Sequence, residues 1–168
     1  MKKEVKKNII RHIREKWITH IAFLVYIILL TITIIHHEPW ADEAQAWLLA
    51  RDTNPFDLIF KNLRYEGHPP LWYIIIIIPS KILPYRSISV ISAIIAIAGV
   101  YILLYYSHFP KIIKYLLPFT YFVFYQYAVI ARSYALVPIL LFAIASIYSK
   151  KSDRIYLFTL LVCLLAYV

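Results

Sequence analysis

Cysteine and acidic residues are scarce in this chain. Cys163 is the one cysteine among 168 residues, so a disulfide within the chain is excluded and a thiolate metal site is disfavoured. Acidic residues number only nine, against eighteen lysines and arginines. No internal repeat or low-complexity linker divides the sequence, which indicates one structural module.

Apolar residues dominate instead. Hydrophobic residues make up 62% of the chain and the mean hydropathy is +0.69, values that predict an integral membrane protein. The first long apolar run, residues 17–35, matches the ~20 residues that cross a hydrocarbon core of about 30 Å. Because it is too long for a signal-peptide core and lacks a small-residue cleavage site, we interpret it as a retained helix.

The net charge of +9 is concentrated near the N-terminus, where seven of the eighteen basic residues precede Trp17. A basic segment beside a first span is typical of a cytoplasmic anchor. We therefore divide the chain into a basic cytoplasmic tail, residues 1–16, and a transmembrane module, residues 17–168. Nucleic-acid binding is disfavoured because no aromatic-interleaved basic patch accompanies the charge.

The later apolar segments cover residues 70–83, 88–106, 115–130, 134–148 and 155–168. They predict an all-α integral membrane fold with about five transmembrane helices and an outer loop, residues 36–87, that carries amphipathic and re-entrant helices. Residues 70–83 reach only about 21 Å as a helix, short of the core. The positive-inside rule is also better satisfied if they do not cross. The outer loop and Arg132 then share the non-cytoplasmic face, and aromatic residues near the segment ends, such as Trp72 and Tyr73, fit interfacial belts.

The outer loop contains most of the chain's acidic residues and half of its histidines. It holds six of the nine carboxylates and three of the six histidines: Glu38, Asp42, Glu43, Asp52, Asp57, Glu66, His36, His37 and His68. The spacing of Ala44, Trp47, Leu48 and Arg51 predicts a short amphipathic helix. Asp42 and Glu43 fall in its first turn, where free N–H groups and the helix dipole favour negative charge. Asp42 therefore suits a general base, a metal ligand or, in the simplest interpretation, a helix N-cap.

A second loop helix is predicted from Pro55 to Gly67, which would lay the loop on the bilayer. Asp52 and Asp57 are then most simply solvated or capping residues. Glu66 and His68 lie two residues apart before a rigid Pro-Pro pair and could bind a cation or a sugar hydroxyl. Asp42 and His68 are the candidate ligands of a divalent metal, although no ligand-spacing signature such as HExxH is present.

Arg132 is the one charged residue placed at the outer end of a later span. Burying its guanidinium would cost several kcal/mol unless the side chain snorkels or pairs. No acid lies near it in the sequence. Its partner is therefore either a carboxylate of the outer loop or an anionic ligand such as a lipid phosphate.

Three segments resemble the N-terminal region of the GT-C membrane glycosyltransferases, a superfamily that includes the protein O-mannosyltransferases and the bacterial lipid A aminoarabinose transferases. They are PWADEAQAWLLARD after the first span, GHPPLWY before the short helix, and ARSYAL at the start of a later span. The resemblance extends from about Trp17 onward. It implies an integral protein of a bacterial inner or plasma membrane with its N-terminus in the cytoplasm.

The resemblance also implies a reaction, the inverting transfer of a sugar from a polyprenyl-phosphate donor on the non-cytoplasmic face. By resemblance Asp42 is the catalytic base with Glu43 beside it. Arg132 meets the donor phosphate together with His68, Glu66 and Tyr134. The segment QYAVIARSY lacks a second acid that many relatives carry, so metal dependence stays open. The chain stops within an apolar segment where relatives continue, so we expect it to be truncated.

Two other functional classes are weighed against this expectation. A transporter needs ionisable groups near the bilayer midplane to couple ions, and the later spans contain none apart from Arg132 at an edge. A non-catalytic membrane scaffold, or an inactive fragment of such an enzyme, remains as the alternative.

Overall fold

The computed structural model describes residues 2–67 and 69–168, and the side chains of these apart from 2–13 and 65. All regular structure in this part of the chain is helical, as predicted. The α-helices are α1 (Lys2–His36), α2 (Ala41–Asp52), α3 (Pro55–Asp57), α4 (Leu63–Glu66), α5 (Leu71–Ile82), α6 (Ser87–Tyr105), α7 (Lys111–Leu116), α8 (Leu136–Ile147) and α9 (Ile155–Ala166). Leu58–Asn62 and Phe122–Val129 form π-helices, and Leu117–Phe119, Ser133–Ala135 and Tyr148–Lys150 form 3₁₀ turns.

Three helical stretches of the described chain are long and apolar enough to cross a membrane. They are Arg14–His36, Ser87–Tyr105 and Ser133–Lys150. The helices α5 and α9 have 12 residues each and are shorter than a full span. Membrane association is therefore indicated, and the count of about five spans remains a prediction.

The long helices pack side by side between two ends of the molecule. At one end, Ile88 at the start of α6 belongs to the same buried cluster as Trp47 and Ala131. At the other end, the His20 ring nitrogen lies 2.6 Å from the Tyr105 hydroxyl oxygen. We call the first the loop end (residues 36–88 and 130–136) and the second the opposite end (residues 14–20, 105–115 and 147–154).

A glycine lets α6 approach α8 closely. A Cβ atom at Gly99 would lie 3.2 Å from the Cα of Ile139, so a larger residue would press against the α8 backbone. Small residues at helix crossings allow such close packing in membrane proteins, where dispersion contacts hold helices together. The contact fixes α8, and the turn before it, relative to α6.

The short helix α5 stays at the loop end. Its first turn lies near Asp42, and near its last turn the Lys81 ammonium donates hydrogen bonds to the carbonyls of Arg51 and Thr53, at 3.0 Å each. The chain then turns directly into α6 at Ser87. The helix α5 therefore lies along α2, and the re-entrant course of residues 70–83 remains a prediction.

Two sequence predictions need correction here. The apolar segment 115–130 is not one regular helix, because the backbone breaks at Thr120 and again at Ile130, where it becomes extended. The buried face of α2 is also rotated by about one position from the predicted face. Glu43, Ala46, Trp47 and Ala50 are buried, whereas Leu48 is 44% exposed. The bonds of Glu43 described below fix this rotation.

Candidate functional site

The candidate site is a cavity at the loop end with a volume of about 190 Å³. It forms where the first turns of α2 and α5 meet the end of α4 and the extended backbone before Ser133. It is lined by Asp42, Gln45, Ala46, Glu66, Trp72, Tyr73, Arg132 and Ser133. Four separate parts of the sequence therefore converge on one concave surface.

An ion pair between Asp42 and Arg132 crosses the cavity. The Arg132 Nη1 atom lies 2.8 Å from the Asp42 Oδ2 atom, and the two side chains are 22% and 51% exposed. Of the two partners predicted for Arg132, the structure shows the loop carboxylate. Asp42 is the second residue of α2 and Trp40 occupies the N-cap position, so the N-cap interpretation of Asp42 is wrong.

Glu43 has a different environment from its neighbour, because its side chain is fully buried. Its Oε2 atom accepts hydrogen bonds from the Trp40 backbone N–H at 2.8 Å and from the His37 ring at 3.0 Å. Its Oε1 atom accepts one from the Ala131 backbone N–H at 2.8 Å. A buried carboxylate is costly unless such donors satisfy it. Glu43 thus ties α2 to the residue that precedes Arg132.

The donor from Ala131 is a part of the site that sequence reasoning missed. The bond joins residues 88 positions apart. It comes from a backbone N–H group that becomes available because the chain leaves its helix at Ile130. No side-chain pattern signals a backbone donor, so nothing in the sequence could have identified it.

The two adjacent histidines of the loop point to different partners. His37 is nearly buried, bonds Glu43, and lies edge-on to the Tyr125 ring with the centroids 6.1 Å apart. His36 is exposed, and its ring bonds the Ile32 carbonyl one turn earlier in α1. His37 therefore holds the end of α1 against the site, while His36 does not contribute to it.

Gln45 and Glu66 form a second polar pair in the cavity. The Gln45 Nε2 atom donates to both Glu66 carboxylate oxygens, at 3.1 and 2.9 Å. Gln45 was absent from the predicted site, although it lies three residues after Asp42 on the same face of α2, a spacing that could have indicated it. Gly67 follows with a φ of +67°, in the left-handed conformation that ends α4.

Trp72 and Tyr73 are buried cavity residues, which corrects their placement in an interfacial belt. They are 1% and 2% exposed, because the loop helices cover α5. Burial and, secondarily, the negative charge of Glu66 raise the pKa of Tyr73 to about 12, with Arg132 acting in the opposite direction. The phenol thus stays protonated at neutral pH. The Trp72 indole N–H has no hydrogen-bond partner in the described part of the chain.

The remaining predicted residues lie at or beyond the rim. Tyr134 is 37% exposed, and its ring centroid lies 5.5 Å from the Arg132 Cζ atom. Asp52 pairs with Arg51 at 2.7 Å and Asp57 with Lys61 at 2.6 Å, all on the surface. These two acids have the solvated role predicted for them. His68 lies outside the described residues.

No metal centre is formed by the described residues. Nowhere among them do three or more His, Cys, Asp or Glu side chains come together as a metal site. The predicted ligand Asp42 faces a guanidinium, which competes with any cation for its carboxylate. The other predicted ligand, His68, is not among the residues described.

Comparisons with protein-family models, with curated proteins and with solved structures find no match for this chain. The resemblance to GT-C enzymes therefore remains an expectation from the three sequence segments.

Proposed function

We propose that this protein is a membrane glycosyltransferase that moves a sugar from a polyprenyl-phosphate donor to an acceptor on the non-cytoplasmic face, with inversion. The observation that carries the proposal is the Asp42–Arg132 pair in one cavity, a carboxylate and a guanidinium 2.8 Å apart. An inverting transfer needs one positioned base and one positive group where the phosphate departs. The two required charges are both present.

The donor phosphate replaces Asp42 as the partner of Arg132. A half-exposed ion pair contributes about 1 kcal/mol or less to stability, so a doubly hydrogen-bonding phosphate can displace it at little cost. The freed Asp42 carboxylate then takes the proton of the acceptor hydroxyl. The acceptor oxygen attacks the anomeric carbon from the side opposite the phosphate, the carbon–oxygen bond to phosphate breaks, and polyprenyl phosphate leaves with its charge held by Arg132.

The cavity volume limits which part of the donor is enclosed. At about 190 Å³, it is below the ~300–1,000 Å³ typical of sites that enclose whole ligands. It therefore takes the phosphate and the reacting end of the donor, while the prenyl chain lies along the apolar helices. Glu66, already an acceptor for Gln45, is placed to accept from a sugar hydroxyl, and the protonated Tyr73 is placed to donate.

The structure leads us to divide the two acids differently from the resemblance. Asp42 lines the cavity, whereas Glu43 is fully buried and accepts three hydrogen bonds from this chain. We assign Asp42 the role of base and Glu43 a positioning role. In the proposed arrangement α1 starts in the cytoplasm, about five segments cross a bacterial inner or plasma membrane, and α5 re-enters from the outer face.

A non-catalytic scaffold is the alternative that one observation favours. In the structure, Asp42 and Arg132 neutralise each other. Under this alternative the ion pair only stabilises the contact between α2 and the segment before α8. Replacing either residue would then change stability without changing any ligand affinity.

The glycosyltransferase and the scaffold can be distinguished by measuring how tightly undecaprenyl phosphate binds to the protein in nanodiscs. Arg132→Gln is expected to weaken binding about tenfold or more, because a charge-assisted phosphate contact is lost. Arg86→Gln, which removes an exposed arginine at the same end, is the matched control. Equal affinity of both variants and the parent protein would exclude the phosphate site.

The catalytic role is tested with radiolabelled undecaprenyl-phosphate sugars supplied to membranes that contain the protein. Asp42→Asn is expected to lower transfer about 10²- to 10⁴-fold. Asp52→Asn, on the same helix but outside the cavity, should leave it unchanged. The base assignment is wrong if Asp42→Asn transfers sugar at the parent rate.

A further inference from the structure

A second polar cavity lies at the opposite end of the bundle, between the end of α6 and the turn that joins α8 to α9. It has a volume of about 250 Å³. It is lined by Tyr106, His108, Ser146, Ile147, Lys150 and Arg154. The proposed glycosyl transfer takes place at the loop end and does not use it.

The cavity concentrates N–H donors from two parts of the chain. His108 comes from the turn after α6, and Lys150 and Arg154 come from the turn before α9. Arg154 and Lys150 are four positions apart, and the turn is held by the Arg154 backbone N–H donating to the Lys150 carbonyl at 3.1 Å. Three basic side chains thus line one concave surface.

No described carboxylate forms an ion pair with Lys150 or Arg154, and this includes the exposed Asp153 that directly precedes Arg154. None lines the cavity, and within the described chain Lys150 and Arg154 have no ion-pair partner. At the same end Glu15 pairs with Lys111, away from the cavity. This differs from the loop end, where Asp42 occupies the guanidinium of Arg132.

The surroundings of the cavity suit a lipid rather than a free ion. Ile155 and Tyr156, directly after Arg154, are 51% and 90% exposed, and Tyr148 is 56% exposed. The Lys151 ammonium lies 4.2 Å from the Tyr148 ring centroid, so an aromatic and a cation share the rim. Apolar surface beside a cationic cavity matches a phospholipid, whose acyl chains lie next to its phosphate.

We propose that this basic cavity binds the phosphate headgroup of an anionic phospholipid, with Lys150 and Arg154 as the principal contacts and His108 as a third donor. Basic pockets between membrane helices bind anionic headgroups in this way. The lipid fastens the α8–α9 turn to the end of α6. The proposal does not depend on the glycosyltransferase assignment.

The test measures lipid retained by the full chain after purification from mixed bilayers. Protein is reconstituted with equal amounts of phosphatidylglycerol and phosphatidylcholine, extracted in mild detergent, and analysed by native mass spectrometry. The parent protein should retain phosphatidylglycerol selectively. Lys150→Gln with Arg154→Gln should reduce that retention about tenfold, because two cationic contacts are lost.

Two matched variants make the result specific. Arg14→Gln with Lys16→Gln removes one arginine and one lysine from exposed positions at the same end, outside the cavity and its rim, and should retain the lipid as the parent does. Lys150→Arg with Arg154→Lys keeps both charges and should also retain it, which controls for misfolding. An equal loss in both charge-removing variants would overturn the proposal, because surface charge alone would then explain binding.

A further experiment tests whether the cavity prefers the phospholipid to free inorganic phosphate. Protein in phosphatidylcholine alone is exposed to inorganic phosphate and then to phosphatidylglycerol. The proposal expects phosphatidylglycerol to bind despite the phosphate. Complete displacement of phosphatidylglycerol by inorganic phosphate would show an anion site without lipid selectivity and would overturn the assignment.

Discussion

The two ends of the helical bundle differ in whether their cationic side chains are paired with carboxylates. At the loop end, Arg132 is paired with Asp42, and the neighbouring Glu43 is buried and accepts three hydrogen bonds. At the opposite end, Lys150 and Arg154 line a cavity without a carboxylate. The buried, fully bonded Glu43 stabilises a fixed geometry. The partly exposed Asp42–Arg132 pair contributes little to stability, and the cations without an ion-pair partner are directly available to a ligand. The comparison predicts that charge removal destabilises one end and not the other.

The largest loss of stability is expected for Glu43→Ala. The change leaves the N–H groups of Trp40 and Ala131 and the His37 ring without their buried acceptor. Each unsatisfied buried group costs about 1–3 kcal/mol, so we expect a loss of about 3 kcal/mol or more. Unfolding by SDS titration in mixed micelles measures it.

Glu38→Ala is the control for this measurement, because it removes an exposed carboxylate from the same loop. Its effect should stay within about 0.5 kcal/mol. Similar small losses for both variants would show that the buried hydrogen bonds of Glu43 do not hold the loop end together.

Gly67→Ala should have an intermediate effect. The glycine has a φ of +67°, and an added Cβ would meet nothing within 4 Å, so the cost comes from the backbone alone. We expect about 1 kcal/mol. Gly67→Asn should cost less, since asparagine adopts this conformation more readily. The same SDS titration tests both, and equal stability of all three proteins would refute the backbone explanation.

Removal of two charges from the opposite end should be nearly neutral for stability in lipid-free detergent. Lys150→Gln with Arg154→Gln breaks no described ion pair, so we expect a change within about 0.5 kcal/mol. Thermal unfolding in detergent is the measurement. A large loss would show that these charges are satisfied by the chain, and the contrast between the ends would fail.

The smallest effect is expected for Asp52→Asn. The Arg51 guanidinium donates to Asp52 and lowers the pKa of that carboxyl. A lowered folded-state pKa gives stability that is present above the ordinary carboxyl pKa and is lost as the pH falls through the folded value. Because the pair is on the surface, the contribution is small. Parent and variant should differ slightly at about pH 7 and converge at about pH 2; divergence towards acid would contradict the sign.

Much of the helix arrangement could be predicted from apolar runs. Segment bounds such as 88–106 for α6 (Ser87–Tyr105) and the 36–87 loop follow from hydropathy, because membrane helices are encoded by uninterrupted apolar length. Pro55 and Gly67 gave the ends of the second loop helix, since each has a restricted or unusual backbone conformation. The break at Thr120 has a signal that the prediction of one segment passed over, because Pro118 disrupts a helix at this point. The break at Ile130 could not be predicted, because Ile130 is as apolar as its neighbours.

The candidate site was only partly predictable. The positive-inside rule predicted that Arg132 and the outer loop lie on the same, non-cytoplasmic face. In the structure, Arg132 forms an ion pair with Asp42 of that loop. The different environments of Asp42 and Glu43 do not follow from adjacent positions in a helix, since both are equally acceptable in a first turn. Which one is buried depends on where the segment before α8 lies.

By itself, the sequence determined an all-helical, strongly apolar chain with its acids gathered in one loop, because composition and run length suffice for that. The tertiary structure alone decided that Glu43 meets the Ala131 backbone, that Trp72 and Tyr73 are buried, and that the cations of the opposite end face a cavity. These outcomes depend on contacts between distant segments and on backbone groups, which have no side-chain signature in the sequence.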